Sequence, residues 1–444
     1  MAIRIGRKKR ASKQSRKKDR SHDHMDTFSS RPVPAQLNRR ETFYHFGNIS
    51  IDYNGRGRQS CELHIIADGA RLGTFDFVAK DGRDFSLPNQ WLMAGNACIL
   101  VTTKNRREVI FKLDVPRPTN TVSNPRSVSR TSGDYYVEYR VFRNTQHRNR
   151  IQYQLAQFEA STRPSAWKNV DKAKLIADLR QTTDDPREVN QEAAGFCGAT
   201  AIGYAMAVSQ PHRLVQYCQE LYENGSMRGA EKTFRASSKF RNSLVPGSQR
   251  WTLSLTDYVF TGTLMEDAGF KRQEYREKLK KHRGGKWEVT QNYNAEGNMS
   301  GAQKRWCREL LGYWNDRGIG DKFPLGKQVK ALAECRRVLN AKGFVFPAIH
   351  ADILKETSKK SVVKISNHWV TMTDIRVFDN KGKVANVQKV ESRKIHEVEP
   401  TFFTWGEYYK GRLDKSHYKK FVWLYIVCEP FTKSALALQI RDVR

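Results

Sequence analysis

The pattern of apolar and polar positions changes character three times along the chain. Residues 1–38 are polar, basic and rich in Ser, Arg and Pro, and predict a disordered tail. From Glu41, short runs rich in β-branched and aromatic residues follow one another: TFYHFGNISIDY, CELHIIA, RLGTFDFVA, NACILVTT and REVIFKLDV. YNGRG, ADGA and KDGR punctuate them, which predicts a small all-β domain over residues 39–116. PRPTNTVSNPRSVSRTSG has almost no apolar residue and predicts a linker over 117–133. DYYVEYRVF and RIQYQLAQFEA resume a strand-like pattern that either extends the β domain or opens the next one, with a second domain expected at 134–432. Residues 433–444 are expected to form a C-terminal tail.

From about Ser161 the periodicity is mixed. Short helices are expected at Asp171 to Arg180, Cys197 to Val208, and Pro211 to Glu223, the last stopped by Asn224-Gly225. Segment 251–300 reads as irregular. Helical spacing returns at Gly301 to Asn315 and Leu325 to Ala341. Strand patterns then take over: GFVFPAIH, HWVTMTDIRVF, PTFFTWGE and FVWLYIVC. Helices followed by an antiparallel sheet make the expected class α+β.

Composition narrows the picture. At 444 residues with 39% hydrophobic and 11% aromatic content, the chain can bury real cores. No stretch of eighteen apolar residues exists, so no membrane span is expected. The N-terminal charges are followed by no apolar h-region, so no signal peptide is expected either. Net charge is +32, and the first twenty residues hold ten Lys/Arg against one Asp. Such a field attracts polyanions without specificity, but no nucleic-acid recognition motif accompanies it. His22 and His24 flank Asp23 in the tail, a set too sparse for a metal site.

Seven cysteines, odd in number and irregular in spacing, read as reduced thiols without a zinc pattern. One differs from the rest. In NQEAAGFCGATAIGYAMAV, Cys197 opens a helical stretch, where the helix dipole favours thiolate. Ala201, Tyr204, Ala205 and Val208 form an apolar stripe behind it, making the helix a buried mount. Gly203 admits a close neighbour. Gln191, six residues before Cys197, can offer its amide to an oxyanion beside the Cys197 backbone N–H. In SNHWVTMTDI, His368 begins a strand that is apolar on both faces, and a base at a strand end facing a helix N-terminus is the geometry a Cys–His pair needs.

This order resembles the papain-like superfamily of cysteine proteases: Gln, five residues, Cys opening a buried helix, then His beginning a late strand. FTWGE is similar to the Asn-Ser-Trp-Gly segment that follows the histidine strand there. The order CGAT, LYENG, NHWVTMTDI, FTWGE most resembles papain-like domains of bacterial polymorphic toxins and secreted effectors, over roughly residues 160 to 430. The chain departs from the pattern in three places. No aromatic residue follows Cys197. The Cys-to-His separation is long (368 − 197 = 171). Phe403 stands two before Trp405, where the family has Asn.

The resemblance implies helices packed on a C-terminal antiparallel sheet, with Cys197 as nucleophile, His368 as general base and acid, and Gln191 as oxyanion donor. The third residue, which orients the histidine, stays open: Glu407 first, then Thr404, with Asp374, Asp379 and Glu391 behind. Trp405 is expected to wall the site. The implied activity is proteolysis of a protein or peptide by a secreted bacterial effector, with no cofactor. Such a protein is made in the cytoplasm and passed to a delivery machine and a target cell. Deamidation or amide cleavage by the same pair, or an inactive basic binding protein, are the alternatives.

Overall fold

The structure, a computed structural model, describes residues 26–28, 36–54, 58–78, 83–85, 91–104, 109–115, 126–132, 135–191, 196–242, 253–269, 279–281, 287–289, 296–313, 318–319, 328–354 and 368–431. Two bodies follow one another, a β-sandwich and a larger α+β body. The sandwich has two antiparallel sheets. One pairs β2 (Tyr44–Tyr53) with β5 (Arg83–Phe85), β6 (Trp91–Met93) and β10 (Tyr135–Arg143), with β9 (Arg126–Ser132) on the edge. The other runs in the order β4 (Ala70–Val78), β3 (Ser60–Ala67), β7 (Ala97–Thr103), β8 (Val109–Val115). Alternation in each strand turns Phe46, Ile49, Leu63, Ile65, Ile99, Val101, Val137 and Tyr139 into one interior.

Two expected boundaries therefore move. The 117–133 linker contains β9, and Tyr135–Arg143 belongs to the sandwich, because β10 pairs along its length with β2 and over Tyr135–Val141 with β9. RSVSRTS has no apolar alternation to announce it. An edge strand is held by its backbone ladder and can do without an apolar face. RIQYQLAQFEA, read as strand-like, is helix α1 (Arg150–Ala160): Asn149 caps it, and Ile151, Leu155 and Phe158 bury one face.

The larger body is built on a ten-stranded antiparallel sheet. Its order is β1 (Asp26–Phe28), β21 (Glu407–Lys410), β20 (Glu397–Thr404), β18 (Thr371–Phe378), β16 (Phe344–Ile349), β23 (Val422–Cys428), β15 (Gly318–Ile319). The two-residue β17 (His368–Trp369) pairs with β16. One face carries α2 (Lys172–Asp184), α3 (Cys197–Ser209), α4 (Pro211–Asn224) and α6 (Leu255–Asp267), whose core takes in Phe344, Phe346, Trp369, Phe403 and Tyr408 of the sheet. On the other face α8 (Gln328–Asn340) and α9 (Lys415–Phe421) pack on Val345, Ile349, Val370, Met372 and Phe402. FVFPAI reads as one unbroken apolar run because both faces of β16 are covered.

The expected helices appear: α2 is capped by Asp171, α4 ends on left-handed Gly225, and α3 begins at Cys197. Helix α6 went unseen because Leu255 through Met265 are all buried, which erases amphipathic spacing. Its Gly262 lies against Phe240, where a Cβ would come within 2.4 Å of the ring.

The tail also needs correction. Residues 26–28, expected to be disordered, add strand β1 to the free edge of β21, with Thr27 opposite Tyr409. Further on, Asn149 Nδ2 donates to the carbonyls of Gln36, Leu37 and Arg39. Composition shows that the tail cannot build a core of its own. It does not show that the tail can borrow an edge from a distant sheet. The expected C-terminal tail and the His22–His24 pair lie outside the described residues.

The sandwich is no separate bead. Arg71 N–H donates to the Gly312 carbonyl at 2.8 Å and Thr74 N–H to that of Ala230 at 2.9 Å, and one apolar cluster runs through both bodies.

Candidate active site

Helix α3 carries the first half of the site. Its sequence, CGATAIGYAMAVS, is buried from Gly198 to Ala207. Val208 departs from the expected stripe, being 37% exposed near the helix end. The helix is locked to the sheet. Tyr204 stacks on Phe403 at 3.8 Å between centroids, its hydroxyl hydrogen-bonds that of Tyr408 at 2.8 Å, and Thr371 Oγ1 donates to the Ala201 carbonyl at 3.4 Å. The contact at Gly203 is ordinary: a Cβ there would meet Val189 at 3.4 Å and Thr261 at 3.6 Å.

Cys197 is partly exposed, whereas the other six cysteines are buried, and all seven are free thiols. The backbone N–H groups of Trp369, Gly198 and Cys197 itself bear on the thiol and favour its charged form. Net depression of the thiol pKa was expected from the helix terminus. Burial instead pushes it above its ordinary value, and the three N–H groups pull only part of the way back. Burial likewise raises Cys61, Cys218 and Cys335, without a comparable set of donors.

His368 begins β17, buried, one residue before the N–H that bears on the thiol. Its Nε2 hydrogen-bonds Thr404 Oγ1 at 2.7 Å, and Trp405 stacks on its ring at 4.5 Å and 19°. Thr404 and Trp405 come from the hairpin between β20 and β21. Only Trp405 and Gly406 separate Thr404 from its partner Glu407. Both have positive φ, +51° and +76°, the signs of a type I′ turn. Glycine adopts this readily. A tryptophan there is strained by about 1–3 kcal/mol and needs surrounding contacts to hold it. Those contacts include the His368 stack and the edge of Tyr409.

The candidates for the orienting residue therefore change order. Glu407 is exposed on β21, and its carboxylate accepts the Tyr409 hydroxyl at 3.2 Å. Asp374 pairs with Arg336, Asp379 accepts the N–H groups of Lys381 and Lys383 in a turn, and Glu391 pairs with Arg393. Of these candidates Thr404 is the one that hydrogen-bonds the imidazole. Phe403, standing where Asn was expected, serves packing through its stack on Tyr204. Strand alternation was the available signal: 403 and 404 must face opposite sides of β20.

Gln191 is buried, and its Oε1 has no hydrogen-bond partner among the described residues. It follows the short 3₁₀ turn Pro186–Glu188. Asn190, next to it, donates its backbone N–H to Asp257 Oδ2 at 3.1 Å. The same stretch braces the hairpin turn: a Cβ on Gly406 would lie 3.1 Å from the Arg187 carbonyl oxygen. Residues 192–195, between Gln191 and the helix, lie outside the described set.

Among the described residues no cluster of His, Cys, Asp or Glu could hold a metal, and no helix is long and apolar enough to cross a membrane. No family model matches the chain, and no curated protein does.

Proposed function

We propose that the chain is a papain-like cysteine hydrolase in which Cys197 attacks an amide carbonyl. The observation that carries this reading is the packing of α3, which Cys197 opens, against β17, which opens with a His368 hydrogen-bonded to Thr404. With Nε2–H donated to Thr404, Nδ1 holds the lone pair that takes the thiol proton. The thiolate then bonds to the carbonyl carbon, and negative charge moves to the oxygen. The N–H of Cys197 and the Gln191 amide are placed in the chain to receive it. His368 returns the proton to the leaving nitrogen as the C–N bond breaks. Water, deprotonated by the same imidazole, releases the acyl group from sulfur.

Thr404 is neutral, so it orients the imidazolium without compensating its charge. Trp405 covers the ring and offers its π face to the cation. A raised thiol pKa suits a thiol that stays protonated at rest and ionises against the histidine. The resemblance to toxin and effector domains supports a protein or peptide amide as substrate, and the +32 charge supports association with polyanions on the way.

The test is competitive labelling of the native protein with iodoacetamide near neutral pH, mapped by mass spectrometry over all seven cysteines. Cys197 is expected to react first. Labelling that reaches Cys218 or Cys307 while Cys197 stays intact overturns the assignment.

A further inference from the structure

We infer that Asp257 is a positioning residue of this site: its carboxylate holds the Asn190 backbone and, through it, fixes Gln191 as an oxyanion donor. The inference rests on the reading of Cys197 and Gln191 given above. Asp257 lies on the first turn of α6, the helix packed against α3, and is only 2% exposed. Its Oδ2 accepts two hydrogen bonds, from the Asn190 N–H at 3.1 Å and from Ser254 Oγ at 2.9 Å. The Asp257 N–H in turn donates to Ser254 Oγ at 3.0 Å, so cap and carboxylate hold each other.

A helix needs no buried carboxylate for this. Ser254 caps α6 through its hydroxyl alone. What the carboxylate adds is a grip on a backbone amide that belongs to no helix or strand, one residue before the buried Gln191. That side chain keeps an orphaned Oε1, so its amide is not secured by a partner at that atom. An oxyanion donor must be held to a fraction of an ångström to act.

The groups facing Asp257 oppose its charge. Asp178 on α2, whose carboxylate accepts the Leu255 N–H at 2.6 Å, and Glu188 on the 3₁₀ turn both bear on it, and Asp257 in turn pushes up the neighbouring Cys218 thiol on α4. Burial comes first among the causes that raise its pKa to about 7. Both bonds land on Oδ2, so a proton on Oδ1 leaves them in place, and ionisation strengthens them.

Two reactions of one thiol separate this role from a merely structural one. Acylation by p-nitrophenyl acetate forms a sulfur–carbon bond, passes through an oxyanion, and expels p-nitrophenolate. Alkylation by iodoacetamide forms a sulfur–carbon bond, expels iodide, and needs no oxyanion donor. Asp257→Ala is expected to slow acylation of Cys197 about 10- to 100-fold, approaching the loss of one donor, and to leave alkylation within about twofold. Asp257→Ala combined with Gln191→Ala should be no slower than Gln191→Ala alone, since both act through one amide. Should Asp257→Ala fail to fold, Asp257→Asn keeps the shape. Read at pH 8, it is expected to slow acylation by about threefold or more through loss of the charge. Unchanged acylation in these variants, or acylation and alkylation slowed in parallel, overturns the inference. Wild-type acylation that persists in Cys197→Ala instead overturns the nucleophile itself.

Discussion

The two halves of the site are mounted in opposite ways. Cys197 stands at the end of a continuous helix, thirteen residues long and buried almost throughout, whose neighbours lock it along its length. His368 stands on a two-residue strand, and what holds its ring arrives from a hairpin more than thirty residues later. The cysteine mount is local and unstrained. The histidine mount is assembled from distant pieces and includes a tryptophan in a left-handed conformation. Cys197 is held by the burial of its helix, whereas the contacts that hold the His368 ring include a hydrogen bond with Thr404 and a stack from Trp405.

The largest expected effect removes the distinction altogether. Cys197→Ala and His368→Ala should each bring thiol-dependent hydrolysis to background, a loss on the order of 10³-fold or more, with the fold intact by circular dichroism. The double variant should be no worse than either single one, because the pair acts as a unit. Independent, additive losses would break the pairing.

Thr404→Val tests the hydrogen bond of the histidine mount. It keeps the volume, deletes the hydroxyl, and should lower the turnover number on the order of 10- to 100-fold, the range for a buried bond left unmade. Glu407→Gln, on the exposed face of β21, should change the same rate less than about twofold. The reverse order would return the orienting role to Glu407.

Trp405→Asn is the sharper probe of strain. Asparagine tolerates a positive φ, so folding stability by urea denaturation should hold steady or rise by about 1 kcal/mol. Activity should nonetheless fall about 2- to 12-fold as the stack over His368 is lost, the equivalent of the roughly 0.5–1.5 kcal/mol typical of aromatic pairs. Parallel loss of stability and activity would make Trp405 an ordinary packing residue.

The last effect is on stability rather than on rate and belongs to the cysteine side. Burial raises the Asp257 carboxyl from 3.8 to about 7, so across that interval the folded chain keeps a proton that the unfolded chain has lost. Stability must then fall as pH rises from about 4 to about 7, by at most about 1.4 kcal/mol per unit from this group. The stability difference between wild type and Asp257→Asn, from urea midpoints taken at intervals over that range, should shift steadily against wild type as the pH rises. A constant difference would show that the carboxyl titrates normally.

What could be read from the chain follows the same division. Cys197 and its helix are a local pattern, a glycine-flanked thiol followed by apolar residues, and the helix runs almost as expected. His368 at the head of an apolar strand was equally visible. The order of helices and then antiparallel strands was legible too, since periodicity is a property of neighbours in sequence. Three things were decided only by tertiary structure. Thr404, not Glu407, meets the histidine, because the hairpin leaves Thr404 buried at the end of β20 and its partner Glu407 exposed on β21. Residues 26–28 form a strand because an edge some 380 residues away accepts them, and no composition records an edge. Helix α6 and its Asp257 escaped notice because burial on every side removes the alternation by which a helix is recognised, leaving a carboxylate whose partner, the Asn190 backbone, carries no side-chain signature at all.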